Sequence, residues 1–84
     1  MKRFLVLTLR RPGFDPAVIP PHYAHLDRLR ADGVLELAGP FPDKSGGAYV
    51  LRAASLQDAQ ALAFADPLHV GGASEVSVRE WTTA

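Results

Sequence analysis

The sequence KRFLVLTL, residues 2–9, decides the fold of this chain. Apolar side chains fill both its odd and its even positions, and successive residues of a strand point to opposite faces of a sheet. The segment therefore predicts a strand that is apolar on both faces, which is typical of the middle of a sheet. Residues 47–53, GAYVLRA, have the same character and predict a second central strand.

Proline, glycine and serine mark the limits of the other elements. Pro20-Pro21 opens a first helix, because proline is tolerated in the first helical turn, and Gly33 is a C-cap that ends this helix after Asp32. Ser55 is an N-cap for a second helix, with Asp58 three residues later. Residues 39–46 and 66–72 are predicted to be a loop and a turn. The remaining predicted elements are a strand over 34–38, the second helix over 56–65 and a strand over 74–81.

The resulting order, strand–helix–strand–strand–helix–strand, is the βαββαβ pattern of ferredoxin-like α+β domains. Right-handed crossovers place both helices on one face of a four-stranded antiparallel sheet, in a single domain that spans residues 1–84. No residues remain to cover the other face, which is also apolar. We therefore expect that face to bind a second copy of the chain, in a homodimer or a higher homo-oligomer.

Composition excludes several classes of function. Without cysteine the chain has no thiolate nucleophile, no disulfide and no cysteine-ligated zinc. Nine basic and nine acidic residues are scattered without a block of like sign, so we expect no nucleic-acid partner. The apolar run at residues 4–9 is far shorter than the ~20 residues of a membrane span, and no signal peptide is recognisable. We therefore expect no membrane partner, a cytoplasmic protein and no cofactor.

The topology brings every long loop to one end of the domain, where function usually lies on such scaffolds. Two titratable side chains arrive at that end from different elements: His25, one turn into the first helix, and Asp66, at the end of the second. We therefore predict a catalytic His25–Asp66 dyad for general acid/base chemistry, in which the carboxylate fixes the imidazole tautomer. A cleft between the helix ends would bind a small molecule. We assign substrate binding to His22, Gly39, Pro40 and Ser45.

Plainer interpretations of these residues stay open. Asp66 precedes Pro67, which is the pattern of an N-cap followed by proline, and this role can coexist with catalysis. His25 is also consistent with a surface helix residue, and His22 with a packed histidine whose hydrogen bonds are satisfied. The two histidines are spaced like metal ligands on one helix, but no carboxylate pair accompanies them, so we predict no metal ion. His69 is interpreted as an exposed loop residue.

Taken together, these residues resemble the YciI-like (YCII-related) family. The matching segments follow the family's order: Ala24-His25-Leu26-Asp27-Arg28-Leu29, Asp32-Gly33, Ala38-Gly39-Pro40, Ser55-Leu56-Gln57-Asp58-Ala59, Ala65-Asp66-Pro67, and Glu75-Val76-Ser77-Val78 with Trp81. The resemblance implies a protomer that dimerises sheet to sheet into an α+β barrel, and a His–Asp dyad that maps onto His25 and Asp66. It also implies a link to dehydrochlorination, because one branch of the family acts in chloroaromatic breakdown.

Two functions from different classes are consistent with the sequence. The first is a small enzyme of lyase (dehydrochlorinase-like) or hydrolase type that uses the His25–Asp66 dyad on an unspecified substrate. The alternative is a non-catalytic small-ligand-binding or assembly module of the dimeric α+β barrel type. Turnover separates the two, since such a module releases its ligand unchanged. The extra His22 and the proline-rich loop before the first helix depart from typical family members and leave the substrate open.

Overall fold

A computed structural model describes residues 1–84 and shows four strands and three α-helices. A 3-10 turn at Pro16–Val18 precedes the first helix. The elements are β1 Lys2–Arg10, α1 Ile19–Ala31, β2 Leu35–Pro40, β3 Gly46–Ala53, α2 Leu56–Phe64, α3 Pro67–Val70 and β4 Ser74–Glu80. This order is the predicted ferredoxin-like α+β fold, with one short helix added.

The sheet has the strand order β2-β3-β1-β4, and all neighbouring strands are antiparallel. β1 and β3 are central, as their apolar character on both faces predicts. The main core lies between one face of the sheet and the helices: Val6 and Leu51 of the sheet pack with Leu26 and Leu29 of α1 and Ala63 of α2. The even-numbered residues of β1 therefore face both long helices.

The predicted helix limits follow from local hydrogen bonds. Gly33 has a φ of 77°, and its N–H donates to the Arg30 carbonyl at 3.0 Å, which closes the end of α1 in a conformation that glycine adopts readily. At the start of α2 the Ser55 hydroxyl accepts the Asp58 N–H at 3.1 Å. The predicted N-cap Ser55 is confirmed, whereas the C-cap residue of α1 is Asp32, and Gly33 follows it in the left-handed conformation.

The predicted loop 39–46 is shorter in the structure. Gly39 and Pro40 continue β2, where they pair with β3, and proline is tolerated because β2 is an edge strand. Gly46 begins β3 with a φ of 154°, and a Cβ atom there would lie 1.8 Å from the Thr8 carbonyl oxygen. Only glycine lets β3 approach β1 this closely. The predicted turn at 66–72 also differs, because it contains the short helix α3.

The second face of the sheet carries no helix. Leu5 and Leu7 of β1 lie there beside β3, and Leu37 of β2 is 62% exposed. At one edge of this face Glu36 accepts hydrogen bonds from Arg3 and Arg52, each with a shortest distance of 2.8 Å. These two arginines lower the pKa of Glu36 to about 2. None of the helices combines the length and apolar character that a membrane crossing requires.

Candidate active site

Asp66 connects α2 to α3 and is completely buried. It is the N-cap of α3: its backbone is extended, Pro67 follows in the first turn, and its Oδ1 accepts the Leu68 N–H at 2.9 Å. The N-cap interpretation of Asp66 is therefore confirmed. A carboxylate at this position also benefits from the free N–H groups of the turn, but most of its contacts come from elsewhere in the fold.

Two side chains from other elements donate to the Asp66 carboxylate. His22 of α1 places Nδ1 at 2.9 Å from Oδ1 and 2.8 Å from Oδ2. Tyr49 of β3 donates its hydroxyl to Oδ2 at 3.1 Å. Together with the Leu68 N–H, these donors satisfy a carboxylate that has no contact with water. Residues from three parts of the chain thus meet at one buried group.

These donors keep Asp66 ionised. Burial by itself raises the pKa of a carboxyl group, but the hydrogen bonds from His22, the Leu68 N–H and Tyr49, together with the charge interaction with His22, outweigh it, so the pKa of Asp66 is lowered. Burial and the nearby Asp66 charge raise the pKa of Tyr49, which keeps its hydroxyl protonated and able to donate. The negative charge therefore stays on Asp66, next to the His22 ring.

The contact fixes the tautomer of His22. An ionised carboxylate only accepts hydrogen bonds, so Nδ1 carries a proton, and in the neutral form of the ring Nε2 has a free lone pair. Nε2 makes no hydrogen bond within the chain, and the His22 side chain is 15% exposed and lines a cleft. Such a ring can take a proton at Nε2, while Asp66 stabilises the imidazolium that forms.

The cleft beside His22 lies at the end of the domain where the long connections meet. It encloses about 530 Å³, including the part that is open to solvent. Gly39 and Pro40, both assigned to substrate binding from the sequence, line it together with His22. Ser45 does not: it is exposed, and its hydroxyl donates to Asp43 at 2.6 Å. The substrate-binding roles of these residues stay predictions.

The structure corrects the predicted contact between His25 and Asp66. His25 is 6% exposed, and its Nε2 donates to the Leu62 carbonyl of α2 at 3.0 Å. Since α1 descends from the cleft at ~1.5 Å per residue, His25 lies one turn deeper than His22 and meets the side of α2. His25 is thus the packed, satisfied histidine, and His22 is the partner of Asp66.

Three further cleft residues had no signal in the sequence strong enough to single them out. Tyr49 contacts Asp66, and Arg10 and Ser74 line the cleft from β1 and β4. His69 is exposed, as predicted, and its ring stacks on Phe64 with a centroid distance of 4.5 Å. No group of three or more histidine or carboxylate side chains is placed to hold a metal ion.

Comparison with known proteins identifies the family. The family model of the YCII-related domain matches residues 3–82. The uncharacterized protein YjpA of Bacillus subtilis (strain 168) is 44% identical over 81 residues, which cover 96% of this chain and 95% of that protein. Among solved structures, this chain is similar to 5-chloro-2-hydroxyhydroquinone dehydrochlorinase (TftG) from Burkholderia phenoliruptrix AC1100 in complex with 2,5-dihydroxybenzoquinone. The TM-score is 0.76 at 22% identity, over 98% of this chain and 95% of that one, which shows a shared fold. The chain belongs to the YCII-related family.

Proposed function

We propose that this chain is a small enzyme that performs general acid/base chemistry on a small organic molecule. His22 is the residue that exchanges a proton with the substrate, and Asp66 is the positioning residue behind it. The observation that carries this proposal is the pair of contacts from His22 Nδ1 to the buried Asp66 carboxylate, at 2.8 and 2.9 Å, with Nε2 left free beside a cleft. The proposal keeps the His–Asp dyad predicted from the sequence but replaces His25 by His22.

The reaction class that suits this site best is the base-assisted elimination of HX, the reaction of a lyase. Nε2 takes a proton from the substrate, the electron pair of that bond forms a new double bond, and the C–X bond breaks to release X⁻. Asp66 stabilises the protonated ring during this step. The structurally similar protein is named a dehydrochlorinase, and this name favours elimination over hydrolysis. The similarity itself is one of fold.

A substrate screen tests the proposal. The purified protein is incubated with 5-chloro-2-hydroxyhydroquinone and with other small halogenated and hydroxylated compounds, and release of halide and loss of substrate are followed by ion chromatography and NMR. We expect halide release by the unmodified protein that is lost in His22→Gln. Compounds that bind and are recovered unchanged across the panel would instead support the non-catalytic ligand-binding module.

We propose also that the open face of the sheet forms a homodimer. The half-buried Leu5 and Leu7 of β1 form an apolar strip on this face beside the buried Val50 of β3, and the exposed Leu37 extends the strip to the edge strand. A second copy of the same face would cover the strip by a two-fold operation, which needs no other partner. Glu36 with its two arginines would lie at the rim of such an interface.

Replacing Leu37 by Glu tests the dimer. We expect the unmodified protein to have a mass of twice 9.1 kDa in sedimentation equilibrium, and Leu37→Glu to shift the population towards the monomer because two carboxylates would be brought into an apolar interface. Leu56→Glu is the matched control, since Leu56 is an exposed leucine on α2, which packs on the opposite face of the sheet. Equal masses for the two variants would contradict the sheet-to-sheet arrangement.

A further inference from the structure

Arg10 and Ser74 are direct neighbours across two strands. They are register partners in the antiparallel pair of β1 and β4, and both line the cleft that contains His22. Side chains of opposed residues on one face of an antiparallel pair start about 5 Å apart. The side chains of Arg10 and Ser74 thus start side by side, on the same wall of the cleft.

Arg10 has no acidic partner. The ion pairs of the chain involve other cations, among them Arg3 and Arg52, which share Glu36, and Arg30, which contacts Asp27. The guanidinium carbon of Arg10 instead lies 4.3 Å from the ring centroid of Phe14, which also lines the cleft. Stacking on an aromatic face orients the guanidinium but leaves the N–H groups at its edge free to donate.

Ser74 has a buried hydroxyl with no partner. The residue is 2% exposed, and its Oγ is the one buried side-chain oxygen or nitrogen in the chain that makes no hydrogen bond. Leaving such a group unsatisfied is costly, and a buried polar group of this kind usually has a ligand or water as its partner. The Thr8 hydroxyl nearby does have a hydrogen-bond partner, because it donates to the Gly47 carbonyl at 3.2 Å.

The rest of the cleft is suited to the carbon skeleton of a small molecule. Half of its lining residues are hydrophobic, including Phe14, Ile19 and Leu68, and none is an aspartate or a glutamate. The Asp66 carboxylate contacts His22, Tyr49 and the backbone of α3 rather than the Arg10 guanidinium. Arg10, the one arginine or lysine that lines the cleft, therefore has no counterion among the lining residues.

From these observations we infer that Arg10 and Ser74 form an anion subsite, and that the substrate class is a small organic acid bound as its carboxylate. The guanidinium and the Ser74 hydroxyl donate to the carboxylate oxygens, the apolar walls hold the carbon skeleton, and the reacting C–H lies towards Nε2 of His22. The inference rests on the proposed function for the role of His22, but the binding of the carboxylate does not depend on it.

Binding of acid–amide pairs tests the subsite. Acetate and benzoate are titrated into ¹⁵N-labelled protein, with acetamide and benzamide as neutral isosteres, and affinities are measured from chemical-shift changes in the NMR spectrum. We expect each carboxylate to bind more tightly than its amide, with shifts at the cleft. Arg10→Gln should weaken carboxylate binding about tenfold or more, because a charge-assisted hydrogen bond is lost. Ser74→Ala should weaken it severalfold.

Arg11→Gln is the matched control, because Arg11 carries the same charge next to Arg10 but is exposed and donates to the Gly72 carbonyl at 3.4 Å. It should leave carboxylate binding unchanged. Equal affinities for acid and amide, an unaffected Arg10→Gln protein that is folded by circular dichroism, or no binding of either carboxylate would overturn the subsite. An unaffected Ser74→Ala protein would overturn the part assigned to Ser74.

His22→Gln separates this inference from the proposed function. If His22 has no role in chemistry, His22→Gln will leave turnover unchanged while Arg10→Gln still weakens carboxylate binding, and the subsite stands without the acid/base proposal. If the subsite is wrong, Arg10→Gln will bind carboxylates normally even where His22→Gln abolishes turnover. Turnover of His22→Gln therefore tests the proposed function, and carboxylate binding by Arg10→Gln tests the subsite separately.

Discussion

Replacing His22 by Gln is expected to lower turnover about 10²- to 10⁴-fold, which is the usual contribution of a positioned general acid or base. Glutamine keeps a side chain that can donate to the Asp66 carboxylate, now held by His22 Nδ1 at 2.8 Å, so the buried charge keeps a partner. It has no group that takes a proton at neutral pH. The loss should therefore appear in kcat, measured on whichever compound the substrate screen identifies.

His25→Gln is the control for this result, because it removes an imidazole from the same helix three residues away. The His25 ring donates to the Leu62 carbonyl at 3.0 Å and does not line the cleft. We expect kcat to stay within a fewfold of the unmodified value and the free energy of unfolding to fall by about 1 kcal/mol, the usual contribution of one hydrogen bond. The opposite pattern, with His25→Gln inactive and His22→Gln active, would restore the dyad predicted from the sequence.

The two histidines show what a sequence pattern can determine and what it cannot. Apolar residues on both faces of β1 and β3 predict two central strands, and the strand order follows from topology rules that hold for most folds. The same rules place the first turn of α1 and the end of α2 at one end of the domain. Which of His22 and His25 reaches Asp66 depends on a difference of one turn in helix depth, about 5 Å, which no rule of periodicity fixes.

The orientation of the remaining cleft residues depends on the register in which the strands pair. Tyr49 reaches Asp66 only because β3 pairs with β1 so that Tyr49 faces the helices opposite Val6. Arg10 faces Ser74 only because β4 pairs with β1 in one particular register. A slip of one residue would turn either side chain to the other face of the sheet. The apolar pattern of the sequence predicts where the strands lie, but it does not determine the register in which they pair.

Replacing Asp66 by Ala is expected to lower the free energy of unfolding by about 3–5 kcal/mol, as when one partner of a buried, hydrogen-bonded charge pair is removed. The substitution leaves three buried or partly buried donors without their acceptor: His22 Nδ1, the Tyr49 hydroxyl and the Leu68 N–H. It also removes the N-cap of α3. Urea unfolding at pH 7, followed by circular dichroism, measures the loss.

Asp15→Ala is the matched control, because Asp15 is also an N-cap followed by proline but is exposed. Its carboxylate accepts only the Ala17 N–H, at 2.9 Å, so its loss should cost about 1 kcal/mol or less. The difference between the two variants isolates the contribution of His22 and Tyr49 from that of capping. Equal losses would mean that Asp66 acts only as a cap and that its contacts with His22 and Tyr49 add nothing to stability.

The pH dependence of the Asp66 contribution has a definite sign. The pKa of Asp66 is lowered in the folded protein, so the unfolded state binds its proton more readily and the stabilisation is complete above the ordinary carboxyl pKa of about 3.9. It is lost as the pH falls through the lower, folded-state value. Asp66→Asn retains the shape of the side chain without the charge. The free energy of unfolding of this variant should therefore fall furthest below that of the unmodified protein at pH 6, and the difference should shrink steadily below about pH 4. Protonation of Glu36 also lowers the free energy of unfolding in this acid range. Because Glu36 is present in both proteins, its effect cancels when their free energies of unfolding are subtracted. A deficit that is independent of pH would show that the buried carboxylate is not held in its charged form.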